Sequence, residues 1–410
     1  MTKYRLAGLL VLMMGLLGVF LTAVSCNMPD FDARLRSITA GQRFSIAGWE
    51  LRTFGEEVGR QRQPQNAGDA GVVREYFATA DHIRELERAG AAVRAGNMPG
   101  DAVALETEAG QLEEFNASRK DTVADILARQ LRETLAGQGI YHPLYRYLRW
   151  RVPFPPLNFR LEKPPHLLVI SPRDHIESLR EIRLKQDLGT STMNEMESRV
   201  DELGVSSLVV TLGGFGGTYP SFVTDEGDLR FTLETAAEEW LHQYLVFRPL
   251  GFRYLLDVTG IARNYEIATI NETVAGISSR EIAAEVYNRY YRTGTESEGP
   301  SGSRNNGFDF NAEMRETRST VDSYLAAGEI EAAEAYMEAR RQFLAAHGYY
   351  LRKLNQAYFA FHGTYADRPT SVNPIGAEVR ALRAQSASLR EFLDTAAVLT
   401  SRQALRDKLN

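Results

Sequence analysis

Residues 234–245 read ETAAEEWLHQYL, and the conformation of this stretch governs the reading of its surroundings. It predicts the middle of a helix that opens at Leu233 and runs to about Phe247, where Pro249 and Gly251 stop it. On such a helix Glu238 and His242, four apart, share one face, and Glu239 lies three residues from His242. Moving toward the N-terminus, Asp228 to Thr232 offers a third strand, and Gly213 to Pro220 (GGFGGTYP) is a glycine-rich segment. Before it come a β-rich run from Val205 to Leu212, a helical pattern from Met193 to Leu203, and a proline-bounded strand from His166 to Ser171. On the other side a helix runs from about Asn271 to Tyr291. The expectation is an α+β fold, rich in helix, with a small sheet packed on the 233–247 helix.

The flanking regions are helical. Val72 to Ala95 and Asp101 to Gly137 carry apolar residues three and four apart, the second run with a break near Asn116. Prolines at 153, 155, 156, 164 and 165 then force extended chain. Thr293 to Asp309 is a Gly/Ser-rich polar linker, and helical periodicity returns over Met314–Phe361 and Ala377–Leu409. The expected organisation is 1–26 as a membrane anchor or lipoprotein signal, 27–165 as a helical N-terminal region and 166–292 as the core. A flexible linker at 293–311 and a C-terminal helical region at 312–410 complete it.

The 410 residues are 44% hydrophobic and 24% charged, enough to bury a core, and exclude a disordered or multi-spanning chain. Forty-seven Lys and Arg against 53 Asp and Glu leave a net charge of −6, so no basic excess recommends a nucleic-acid partner. The single cysteine excludes an internal disulfide framework. Lys3 and Arg5 precede an uncharged apolar run from Leu6 to Ser25, about 20 residues and thus about 30 Å of helix, which spans a hydrocarbon core. The basic side faces the cytoplasm and places the bulk of the chain outside it, at the cell membrane. Cys26, after Ala23-Val24-Ser25, resembles a bacterial lipoprotein processing site. Residues 6–25 as a retained helix and a lipidated Cys26 both remain open as the membrane attachment.

The glycine-rich segment lacks a Lys-Ser/Thr pair, and Pro220 stands where a phosphate loop would open its helix, so no nucleotide is expected. It is read either as a plain turn or as an edge strand whose absent side chains let another backbone approach. The second reading makes Gly216, Gly217, Thr218 and Tyr219 candidates for substrate binding.

Glu239-Trp240-Leu241-His242 carries the Glu and the second His of the HExxH motif, in which two histidines hold zinc and the glutamate activates water; Glu238 takes the first His position. With it stand Ser171-Pro172-Arg173-Asp174, Gly216-Gly217-Thr218-Tyr219-Pro220, Arg248-Pro249-Leu250-Gly251 and Asn271-Glu272-Thr273-Val274-Ala275. In order and type these strings resemble a family of bacterial membrane-associated zinc metallopeptidases of the gluzincin type, over about residues 140–292. The resemblance implies a zincin-like core and a Glu ligand from the second helix, at Glu272. At Gly276 this chain departs from the family, which carries there an acid that orients a ligand histidine.

Glu238, His242 and Glu272 would then hold a divalent metal, zinc first, with manganese or iron suited to the two harder carboxylates. Glu239 would serve as general base. His362 or Tyr365, in the aromatic string after Asn355, would donate to the oxyanion of a peptide substrate if that helix folds over the cleft. The alternative for His362 and Tyr365 is aromatic packing, and for the 234–245 helix a solvated Glu pair beside a partly buried His. The expected function is a membrane-tethered, extracytoplasmic hydrolase of peptide bonds acting on a peptide or protein. The alternative is a catalytically degenerate envelope protein that keeps the peptide-binding groove.

Overall fold

The computed structural model describes residues 29–59, 68–142, 154–292 and 308–410. The expected anchor, with Cys26, lies outside these residues, as does most of the expected linker. Among the described residues no helix is long and apolar enough to cross a membrane.

In chain order the elements are α1 (Pro29–Thr39), α2 (Ile46–Gly59), α3 (Asp69–Arg94), α4 (Ala102–Ala117), α5 (Lys120–Gly137), β1 (Phe159–Leu161), β2 (His166–Ser171), β3 (Arg180–Leu184), α6 (Thr190–Asp201), β4 (Ser206–Val210), β5 (Gly214–Phe215) and β6 (Ser221–Val223). There follow α7 (Leu229–Leu245), α8 (Pro249–Val258), α9 (Tyr265–Tyr290), α10 (Phe310–Ala326), α11 (Ile330–Ala346), α12 (Gln356–Gly363), α13 (Pro374–Gln385), α14 (Leu389–Ala396) and α15 (Arg402–Leu409). The fold is α+β and helix-rich, as expected, but with two small sheets rather than one.

The first sheet has the antiparallel order β3-β2-β4. Side chains alternate across it. Leu168, Ile170, Leu184 and Val209 face Leu35 of α1 and Met196 and Val200 of α6, while Leu167, Val169 and Leu208 face Ala357 and Ala360 of α12. Both faces are covered, which is why β2 reads as an unbroken apolar run in HLLVIS. The second sheet, β1-β6-β5, pairs β1 with β6 in parallel and leaves β5 at the edge. Trp49 from α2 and Phe44 just before it pack on Phe222 and Phe215 of this sheet.

Asp228 to Thr232 is not a strand. The Asp228 carboxylate accepts from Phe231 N at 2.8 Å and caps α7, so the helix starts four residues before the expected Leu233. Pro249 does not merely stop α7; it sits in the first turn of α8, where its missing N–H costs nothing. The expected break near Asn116 falls between Ala117 and Lys120, and Asn116 Nδ2 donates to Tyr76 O at 3.0 Å, tying α4 to α3.

One hydrophobic cluster runs from Val73 on α3 through α5, β1, α7 and α9 to Leu405 on α15. Leu233, Ala236, Ala237, Trp240 and Leu241 of α7 and Ile267, Ile270, Val274 and Ala275 of α9 lie at its centre. Each fully buried Leu or Ile there contributes about 1.5–3 kcal/mol. The two helices that carry the candidate residues are therefore anchored in this core, a rigid base for a site.

Candidate metal centre

Because α7 and α9 are buried on nearly all sides, polar residues on their facing surfaces are enclosed with them. Glu238 is 9% exposed and Glu272 7%. One donor atom each from Glu238, His242 and Glu272 lies within 4.8 Å of the others. His242 Nε2 stands 3.5 Å from Glu272 Oε2, a spacing two donors of one tetrahedral ion take at bond lengths of about 2.0–2.2 Å. That Oε2 is buried with no hydrogen-bond partner. Two carboxylates and an imidazole, one oxygen of them orphaned, fit a divalent cation; the donor chemistry suits zinc, manganese or iron alike.

The ring of His242 is fixed from behind. Its Nδ1 lies 2.9 Å from Asn271 Oδ1, so Nδ1–H donates to the amide oxygen and Nε2 points at Glu272. Tyr254 of α8 stacks on the imidazole, with centroids 5.4 Å apart and planes at 23°, and its hydroxyl donates to Glu272 Oε1 at 2.5 Å. Tyr365 also draws the proton affinity of Glu272 down. Burial works against charge on Glu272, yet His242 and the two tyrosines hold its carboxyl below the usual range. Burial opposes a charged His242 as well, but Glu272 beside it pushes the imidazole up to about 10. Glu238 is pushed up to about 8 by burial and then by Glu272, with His242 and Arg368 pulling the other way.

Glu239, one residue on, turns 100° round α7 toward the glycine segment. It accepts from Gly216 N and is pushed up to about 7, first by burial. A carboxyl that titrates near neutrality can take and return a proton at neutral pH. The glycines make its seat. A Cβ on Gly214 would lie 2.4 Å from Glu239 Oε1, and one on Gly216 2.8 Å from Oε2. The ring of Phe215 likewise fills the space beside Gly217, where a Cβ would come within 2.4 Å. The room left by the absent side chains is thus taken by the protein's own Glu239 and Phe215, not by an approaching backbone. Gln243, one turn beyond Glu239, pins the segment: its Nε2 lies 3.0 Å from Gly216 O, Thr218 O and Ser221 Oγ.

These residues border a cleft of about 270 Å³. Gly214 to Tyr219, Glu239, His242, Tyr254, Glu272 and Tyr365 line it, with Glu50 from α2, Glu181 and Arg183 from β3 and Phe361 from α12 completing the wall. Gly216, Gly217, Thr218 and Tyr219 are therefore at the cleft, although the Thr218 side chain is buried and donates to Pro220 O at 3.0 Å. Tyr365 is at the cleft; His362 is not. Phe361 and Tyr365, four apart, face the cleft, and His362 projects about 100° away into a second cavity of about 260 Å³ beside Arg318 and Asn373. There it packs on Tyr358 at 4.3 Å. His362 is withdrawn as an oxyanion donor for this cleft.

Sequence reasoning passed over Tyr254, Gln243 and the orienting role of Asn271. The signal for Tyr254 was Gly251. A Cβ at that position would lie 2.2 Å from Leu245 C and O, so glycine lets the start of α8 fold against the end of α7 and carries Tyr254 over His242. Gly276 has its own occupant: the Asp367 carboxylate lies 3.3–3.4 Å from where its Cβ would be, paired with Arg280 rather than with a metal-binding residue. Arg368, next in that turn, reaches Glu234 at 3.4 Å and is the cation that draws on Glu238.

Compared with known proteins, the chain matches no family model, no curated protein and no solved structure.

Proposed function

We propose that the protein is a metallopeptidase of the gluzincin type, tethered at the cell membrane with its bulk outside the cytoplasm. The observation that carries this reading is the convergence of Glu238, His242 and Glu272 on one point, with Glu238 buried and His242, Glu272 and Glu239 lining the cleft. A divalent cation bound there would supply a Lewis acid that polarises a carbonyl and lowers the pKa of water. The chain's own residues do the rest. Asn271 and Tyr254 hold His242 and Glu272 in place, Glu239 receives a proton from water and delivers it to the leaving amine, and Tyr365 offers a hydroxyl at the cleft wall. A peptide would lie in the cleft beside Gly216, Gly217, Thr218 and Tyr219.

Elemental analysis of the purified protein tests this. The wild type is expected to carry about one equivalent of zinc, manganese or iron, and Glu272→Ala is expected to lose it. Absence of metal in both, after dialysis against each cation, rejects the metal centre. The competing reading, a peptide-binding groove without metal, draws on the His242–Glu272 pair, which is self-balanced at 3.5 Å. Peptide binding by metal-free protein would then be the positive result.

Glu238→His adds a second, independent check. Imidazole is the better zinc ligand and removes a negative charge, so zinc affinity is expected to rise about tenfold, read by competition with a chromophoric chelator. A variant that binds zinc more weakly than the wild type would mean that the carboxylate, balanced by Arg368, is the ligand the site is built around.

A further inference from the structure

Tyr254 splits the two oxygens of Glu272 between two tasks. Its hydroxyl takes Oε1 at 2.5 Å, while Oε2 is left to face His242 Nε2 at 3.5 Å. A carboxylate free at both oxygens can chelate an ion symmetrically; one whose outer oxygen is held by a donor presents a single oxygen in a fixed direction. The same tyrosine lays its ring along His242. It therefore touches two of the three donors from one side, on a helix that Gly251 brings against α7. We infer that Tyr254 is a positioning residue of the metal centre, which makes Glu272 a one-oxygen ligand and thereby leaves coordination positions open toward the cleft.

The inference rests on the metal reading above, and its test separates the two. Tyr254→Phe keeps the ring on His242 and removes only the hydroxyl. Wild type and variant are loaded with Co²⁺ and with Zn²⁺. The variant is expected to bind Zn²⁺ about 10–100-fold more weakly, the usual cost of losing an outer partner of a ligand. Its Co²⁺ visible absorption should weaken as Glu272 closes on the ion with both oxygens and the coordination number rises. Thermal melting of the metal-free proteins serves as control, because a purely structural hydroxyl would lower the melting temperature and leave the Co²⁺ band unchanged. Unchanged affinity and an unchanged band overturn the assignment to Tyr254 alone. A wild type that binds neither ion overturns the metal reading and this inference together. Should the variant not fold, a structure of the zinc-loaded wild type decides. One Glu272 oxygen on the ion and the other on Tyr254 supports the assignment; both oxygens on the ion reject it.

Discussion

Glu239→Gln is expected to lower peptide turnover by about 10²–10⁴-fold while metal content and melting temperature stay close to wild type. The substitution keeps the side-chain volume, so the seat against Gly214 and Gly216 remains filled. It removes a cleft carboxyl that burial pushes up to about 7. Glu239 points toward the glycine segment, 100° from the face that carries Glu238, so metal retention is the expected companion result. The pairing of outcomes matters. Loss of both metal and activity would mean that the side chain is a ligand. Retention of both in an active wild type would mean that proton transfer is carried elsewhere, and Tyr365, which also lines the cleft, would be the next group to remove.

Much of the metal centre is legible in the chain because both halves of it are helical. Glu238 and His242 are one turn apart on a helix capped by Asp228 and free of breakers, so their common face follows from the helical repeat alone. Glu272 follows only through the likeness of Asn271-Glu272 to a second-helix string; nothing local in TINETVAG says which residue faces α7. The strands divide the same way. β2 is long and bounded by prolines, whereas β3, written REIRL, has charged residues on its cleft face and an apolar set too short to announce itself. Asp228 misled because an aspartate followed by apolar residues reads equally as a turn before a strand and as a helix cap. His362 and Tyr365 were inseparable by sequence, since the helix that carries them could be turned either way until Ala357 and Ala360 fixed its buried face on the β2-β4 sheet. Tyr254 required knowing that Gly251 is a contact and not a terminator, which no spacing rule states.

Gly214→Ala is expected to cost about 10² in turnover without removing the metal, through a change that adds one methyl group and no charge. The new Cβ would stand 2.4 Å from Glu239 Oε1, 2.6 Å from Thr235 Cγ2 and 2.7 Å from Glu239 Cγ, so something must move. α7 cannot, because Leu233, Ala236, Ala237, Trp240 and Leu241 hold it in the main core and Trp240 Nε1 donates to Pro155 O at 2.8 Å. β5 is two residues long and paired on one side only, but Gln243 and the Phe215 contact with Phe222 restrain it. The flexible end of the conflict is the Glu239 carboxylate, and its displacement by about 1 Å is enough to spoil proton transfer. The atoms nearest the new methyl belong to Glu239 and Thr235 and not to Glu238, His242 or Glu272, so metal content should match wild type. An alanine variant with full activity would show that the segment yields and Glu239 does not. A variant that loses metal with activity would show that the strain passes through α7 to the ligands, and would make the glycine segment part of the metal site rather than the seat of its base.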